Sequence, residues 1–168
     1  AVISGGGRGI GRAVAHLFSA NGADIALCAR TPSELSDIAS ELKANGTNVV
    51  TRIVDISIWE EVEGFASAVT EKLGPTNILI NNAASGTDTE PLAESDPSSW
   101  AKVATTNMLG PYFMSRAFMS QLASGAHIIN VGSGNGHTPV LGRSAYGVGK
   151  AGLSMLTKCM ALELWDRG

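Results

Sequence analysis

Basic clusters, membrane-length apolar runs, cysteine frameworks and internal repeats are all missing from this sequence, and each absence narrows what the chain does. Lys and Arg number 12 against 15 Asp and Glu, for a net charge of −3, and no Lys/Arg patch stands out. A phosphate backbone would find no electrostatic footprint here, which argues against a nucleic-acid partner. The greasiest segment, residues 145–165, is broken by Lys150, Lys158 and Glu163. No membrane span is expected, and the chain reads as soluble. The two cysteines have neither metal-ligand spacing nor the clustering of a disulfide framework. Both Cys28 and Cys159 are read as buried thiols, no metal is expected, and a reducing, cytoplasmic compartment fits. Ala1 opens directly into the apolar pair Val2-Ile3, which implies a natural start further upstream and leaves a targeting segment open.

What is present is enough apolar content, 44% of residues, for the continuous core of one domain over residues 1–168. Short β-branched runs alternate with segments of helical period, the pattern of β-α-β units and a parallel sheet. Strands are expected at Ala1–Ser4, Asp24–Ala29, Asn48–Val54, Ile78–Asn81 and Ala126–Val131. Helices are expected at Gly9–Asn21, Pro32–Asn45, Ile58–Leu73, Pro97–Ser124 and Ser144–Trp165, with Gly22, Gly46, Gly74 and Gly125 as stop signals for the first four. The strands are nearly all apolar, as when helices cover both faces, so the fold class is α/β, a three-layer doubly wound parallel sheet. The longest irregular stretches, Ala83–Ser95 and Ser133–Arg143, follow strands at the carboxyl edge, where such sheets bind ligands.

Directly after the first strand comes Ser4-Gly5-Gly6-Gly7-Arg8-Gly9-Ile10-Gly11, opening a helix. A pyrophosphate needs close backbone approach and unsatisfied helix N–H groups, and glycines at such a turn allow both. Gly5, Gly7, Arg8, Gly9, Ile10 and Gly11 are therefore candidate cofactor contacts. The position that carries a ribose-binding acid in many dinucleotide folds is here Ala29, followed by Arg30. With no carboxylate at that position and two guanidiniums, Arg8 and Arg30, available, NADP(H) is expected over NAD(H).

The glycine spacing, Gly5, Gly9 and Gly11, resembles the T-G-x-x-x-G-x-G turn of the short-chain dehydrogenase/reductase family, with Ser4 in place of Thr. Asn81-Asn82-Ala83-Ala84 is similar to that family's N-N-A-G, with Ala84 for Gly. Asn107, Ser133 and Tyr146-Gly147-Val148-Gly149-Lys150 follow in the family's order. The resemblance covers the entire chain and implies a Rossmann fold, truncated at the C-terminus by loss of the family's last strands and substrate-covering segment. It also implies that Arg8 and Arg30 stand at phosphate-reading sites, that Asp55 bonds the adenine amino group with the Ile56 N–H also in contact, and that Asn82 and Ala83 lie along the cofactor. From the residues alone, Asp55 and Ser57 could equally cap the helix beginning near Ile58.

Carbonyl reduction leaves an alkoxide that needs a proton, so a donor must lie within reach of the oxygen. A phenol with pKa near 10 becomes useful at neutral pH when an ammonium one helical turn away stabilises its anion. A unit charge at about 4 Å is worth roughly 4 kcal/mol at an effective dielectric near 20. The resemblance implies Tyr146 as acid/base, Ser133 holding the substrate oxygen, Lys150 lowering the Tyr146 pKa and binding the nicotinamide ribose, and Asn107 anchoring a proton-relay water. The implied activity is interconversion of a ketone or aldehyde with an alcohol. Alternatives are an enoyl thioester reductase of the same fold, or a catalytically silent NADP-binding sensor or scaffold. His16 and His127 read as satisfied structural residues, while His137, in the loop after Ser133, is a candidate substrate contact. Helices 97–124 and 144–165 carry more apolar surface than one sheet face covers, so a homodimer or homotetramer is expected through them.

Overall fold

The computed structural model describes residues 1–86 and 90–167; residues 87–89, within the irregular stretch after the fourth strand, lie outside the described residues. Five parallel strands form one sheet: β1 (Val2–Ser4), β2 (Ile25–Ala29), β3 (Val49–Ile53), β4 (Thr76–Asn81) and β5 (Leu122–Asn130), in the order β3-β2-β1-β4-β5. The helices are α1 (Gly9–Ala20), α2 (Pro32–Ala44), α3 (Trp59–Leu73), α4 (Pro97–Phe118) and α5 (Ser144–Glu163).

Alternation along the strands divides the core in two. Ile3, Ile25, Leu27 and Ile80 face Ala15 of α1 and Leu35, Ile38 and Leu42 of α2. Their neighbours Val2, Ala26, Cys28 and Leu79 face Phe65 and Val69 of α3 and Met114 and Phe118 of α4. A strand with helices on both faces must be apolar at every position, which is why these runs lack the polar alternation of a one-sided sheet. Phe65 and Phe118 meet edge to face at 5.8 Å between ring centroids, tying α3 to α4.

Gly22, Gly46 and Gly74, at φ near +80°, end α1, α2 and α3. Gly125 does not end α4. The helix stops at Phe118, a single 3₁₀ turn spans Met119–Gln121, and Gly125 lies inside β5 at φ +70°. Residues 122–124 leave the helix because β5 pairs with β4 from Leu122 opposite Thr76 onward, with an irregularity between Thr76 and Ile78. The helical contact surface expected over 97–124 is correspondingly shorter. The uniform covering expected of every strand also fails at β5, an edge strand with exposed positions at Ser124, Gly125, His127 and Ile129. His127 is thus a surface residue beside a groove of about 750 Å³ lined by Leu122, Ile128, Met160 and Trp165. Cys159, read as buried, is exposed; α5 buries Ala145, Gly149, Lys150 and Leu153 instead.

After β3 the chain crosses back to the far side of β1, so the loops leaving β1 and β4 diverge above the sheet. That divergence opens a crevice at their carboxyl ends.

Candidate active site

The crevice has a volume of about 520 Å³ and is bounded by Gly5, Gly7, Arg8 and Gly9 on one side and Asn82, Ala83 and Ala84 on the other. Arg30, Thr31, Glu34, Asp55, Ile56 and Thr106 close its ends. Its two lips are joined by one hydroxyl. Ser4 Oγ, buried, donates to the Ile80 carbonyl at 3.4 Å and accepts the N–H groups of Asn82 and Ala83, each at 3.1 Å. Asn82 Nδ2 returns to the carbonyls of Ser4 and Gly5 at 3.0 and 3.1 Å, so its amide is engaged with the glycine turn. Asn81 Nδ2 bonds Asn130 Oδ1 at 2.8 Å and Ser115 Oγ at 3.2 Å, across to β5 and α4.

The turn leaves no room for side chains at Gly5 and Gly11. A Cβ on Gly5, itself at φ +66°, would stand 2.9 Å from Ala83 Cα, and one on Gly11 would stand 2.3 Å from the Gly5 carbonyl oxygen. The glycines therefore keep the backbone open toward the crevice, as a bound pyrophosphate requires. Gly11 packs beneath the turn against the Gly5 carbonyl and the Asn82 amide, and Ile10, at the first turn of α1, is 62% exposed. Asp55 does not cap a helix. Its Oδ1 accepts from Ser57 N–H at 3.0 Å and Ser57 Oγ at 2.6 Å, while Ile58, the residue before α3, has no capping side chain. Burial pushes the Asp55 carboxyl up, but the Ser57 hydrogen bonds, aided by Arg30 and Lys102, outweigh it and leave it below the usual range.

The second cluster lies where α4 meets α5. The crossing is close because Gly149 and Gly152 carry no side chains: a Cβ on Gly149 would be 2.6 Å from Asn107 Cβ, and one on Gly152 2.7 Å from the Met108 sulfur. Asn107 is fully buried; its Nδ2 donates to the Val103 carbonyl at 2.8 Å and to the Ser85 carbonyl, while its Oδ1 has no partner among the described residues. Pro111, one turn on, has no N–H to give the Asn107 carbonyl. Lys150, only 3% exposed, donates to the Val131 carbonyl at 2.6 Å, and its ammonium lies 5.8 Å from the centre of the Tyr146 ring. Burial lowers the lysine's pKa. Ser133 Oγ accepts the Asn135 N–H at 3.2 Å at the start of the turn leading to α5. The Tyr146 ring packs against Gly86, whose carbonyl accepts from Arg143, and Tyr146 also borders a small cavity with Trp100 and Ser144. His137 is exposed in the loop between Ser133 and α5.

Sequence reasoning passed over Glu34 and Thr106, since only tertiary packing brings α2 and α4 to the crevice wall. Among the described residues, no group of three or more His, Cys, Asp or Glu side chains could hold a metal ion, and no helix is long and apolar enough to cross a membrane.

A parallel sheet with its crevice at the crossover point, floored by a glycine turn, defines an α/β domain of the dinucleotide-binding, Rossmann type. The chain belongs to the short chain dehydrogenase family, whose model matches residues 1–168. It is 32% identical to an uncharacterized oxidoreductase of Mycobacterium tuberculosis, over 99% of this chain and 64% of that protein. It is also 32% identical to the 3-oxoacyl-[acyl-carrier-protein] reductase of Vibrio harveyi, over 100% of this chain and 68% of the relative. A probable oxidoreductase of Mycobacterium bovis is matched at 33% identity over only 28% of its length, so the chain spans between about a quarter and two thirds of the length of these relatives. Among solved structures, a metagenomic short-chain oxidoreductase in complex with NADP superposes with a TM-score of 0.92 at 33% identity, covering 99% of this chain and 75% of that one. An NADPH-bound short-chain oxidoreductase of Pseudomonas aeruginosa PAO1, described as containing an atypical catalytic center, gives 0.94 at 31% identity, covering 100% and 66%.

Proposed function

We propose that this chain is the catalytic core of an NADP(H)-dependent oxidoreductase that interconverts a ketone or aldehyde with an alcohol. The observation that carries the reading is Lys150: an ammonium buried with no carboxylate partner among the described residues, beside the ring of Tyr146. Such a placement costs folding energy and is found where a charge has chemical work to do. A nicotinamide bound in the crevice would supply or accept the hydride.

In this reading Tyr146 gives its phenolic proton to the substrate oxygen during reduction and takes it back during oxidation. Lys150 stabilises the negative charge left on the phenol oxygen and bonds the cofactor ribose, while Ser133 donates a hydrogen bond to the substrate oxygen. Asn107 anchors the water that reconnects Lys150 to solvent. Its unpartnered Oδ1, and a main-chain carbonyl that Pro111 cannot bond, supply acceptors for that water. The glycine turn, Asp55, the Ile56 N–H, Asn82 and Ala83 hold the dinucleotide, with Arg8 and Arg30 favouring a 2′-phosphate. The crevice volume falls within the range of ligand sites, and solved relatives are named with NADP and NADPH bound.

Self-association fits the exposed stripe Val148, Met155 and Leu162, spaced by sevens on α5, with Tyr112 exposed on α4. The function is tested with Tyr146→Phe, assayed by cofactor absorbance on a panel of ketones and secondary alcohols. A loss of at least about 10²-fold in kcat is expected; retention of more than about a tenth of wild-type turnover refutes the role of the phenol.

A further inference from the structure

The mouth of the crevice carries a carboxylate that the reading above does not use. Glu34 stands in the first turn of α2 and its Oε1 lies 3.7 Å from Arg8 Nε. Its starting point is fixed by the backbone. A Cβ on Gly7 would be 2.8 Å from Glu34 Cβ and 3.2 Å from Glu34 Oε2, so α2 seats this side chain directly over the glycine turn. The helix thus fixes where the side chain starts, and the outer torsions set how far its carboxylate reaches over the turn. Within the lining, two guanidiniums, Arg8 and Arg30, face two carboxylates, Glu34 and Asp55. Arg30 acts electrostatically on Asp55, and Arg8 pairs with Glu34.

We infer that Glu34 is the counter-charge that limits how strongly this crevice selects a 2′-phosphorylated dinucleotide, by holding Arg8 until a phosphate displaces it. The inference rests on the crevice being the dinucleotide site. An arriving 2′-phosphate gains Arg8 only by breaking the pair, and it then sits near a second negative charge. A ribose 2′-hydroxyl meets the same carboxylate as a hydrogen-bond acceptor and suffers no repulsion. One residue thus penalises one cofactor and spares the other. It sets selectivity without contributing to the hydride-transfer step.

The test is direct binding of NADPH and NADH, followed by cofactor fluorescence, to the wild-type protein, Glu34→Gln, Arg8→Gln and the double variant. With the Arg8 side chain 85% exposed and the pair screened by solvent, removing the Glu34 charge should tighten NADPH about three- to fivefold and leave NADH within about twofold. The gain should shrink in the Arg8→Gln background, because the part that comes from releasing the guanidinium is then absent and only the direct repulsion is relieved. Raising the salt concentration should shrink the gain, as screening requires for a solvent-accessible charge pair. Equal changes for both cofactors, no change for NADPH, or a gain undiminished by loss of Arg8 would each overturn the inference. A wild type that favours NADH, with Glu34→Gln still tightening NADPH alone, would uphold the inference while refuting the NADP(H) preference. Failure of every protein to bind either cofactor would refute both.

Discussion

Gly11 and Gly9 sit two residues apart in the same turn, yet alanine should act on them through different physics. At Gly11 the new methyl would lie 2.3 Å from the Gly5 carbonyl oxygen and 2.6 Å from Asn82 Nδ2. Both atoms belong to the bond that joins the lips of the crevice, and one is backbone, so no rotamer change relieves the overlap. Overpacking of this kind costs about 1–3 kcal/mol, and the rigid obstacle argues for the upper end. At Gly9 nothing lies within 4 Å of the added atom, and the cost comes only from φ +54°, the left-handed region. That strain is worth roughly 1–2 kcal/mol. A chain of this size loses about 2–4 °C of Tm per kcal/mol, so Gly11→Ala should fall by roughly 6–12 °C and Gly9→Ala by a smaller amount. Circular-dichroism melting gives the stability, and NADPH fluorescence titration gives the binding. Gly11→Ala should also weaken cofactor binding, because Gly5 must shift to admit the methyl. A Gly11→Ala protein that melts and binds like wild type, or one that is less damaged than Gly9→Ala, would refute the packing argument.

Three further outcomes follow from other parts of the molecule. Burial pushes the Cys28 thiol up to about 12 while Cys159 is exposed, so a thiol reagent at neutral pH should label one cysteine in the native protein and two after unfolding. Lys150→Met should abolish turnover yet raise the thermal midpoint near neutral pH, less the lost bond to the Val131 carbonyl. Burial holds the folded Lys150 pKa below its unfolded value, so the cost of the buried ammonium is fully present below the folded pKa. That cost fades as pH rises toward the unfolded value of about 10.4, and the variant's advantage over wild type should narrow over the same window; a variant less stable throughout would contradict this. Gly149→Ala drives a methyl into Asn107 Cβ, and displacing that side chain should lower kcat roughly 10- to 100-fold with little change in NADPH affinity. An unchanged kcat would show that the α4–α5 crossing does not position Asn107.

Where the determining interaction is local, the residues announced it. Gly22 and Gly46 follow their helices at φ +82°, a conformation that glycine alone adopts at little cost, and the helix ends fell where these residues stand. The strands β1 and β2 were visible because burial on two faces demands uninterrupted apolar runs. The join of α4 to β5 was not. Gln121 to Ser124 carry no breaker, and only pairing of Leu122 with Thr76 takes them out of the helix. Cys159 was misread for a similar reason, since apolar residues surround it in sequence but the face α5 turns inward runs through Ala145, Gly149 and Leu153. In the site, the order of Asn107, Ser133, Tyr146 and Lys150 was legible as a motif. The unpartnered Asn107 oxygen and the approach of Glu34 to Gly7 were not, because each arises from how two helices happen to seat.

The hydroxyl of Ser4 turns the base of the crevice into a fixed bracket and not a hinge. Where a ligand meets residues 4, 82 and 83 the main chain is already held in place, so less of the ordering cost of binding falls there than on long side chains at the rim. Preference between related ligands can then drift through exchanges among those rim charges while the strand ends beneath keep their geometry.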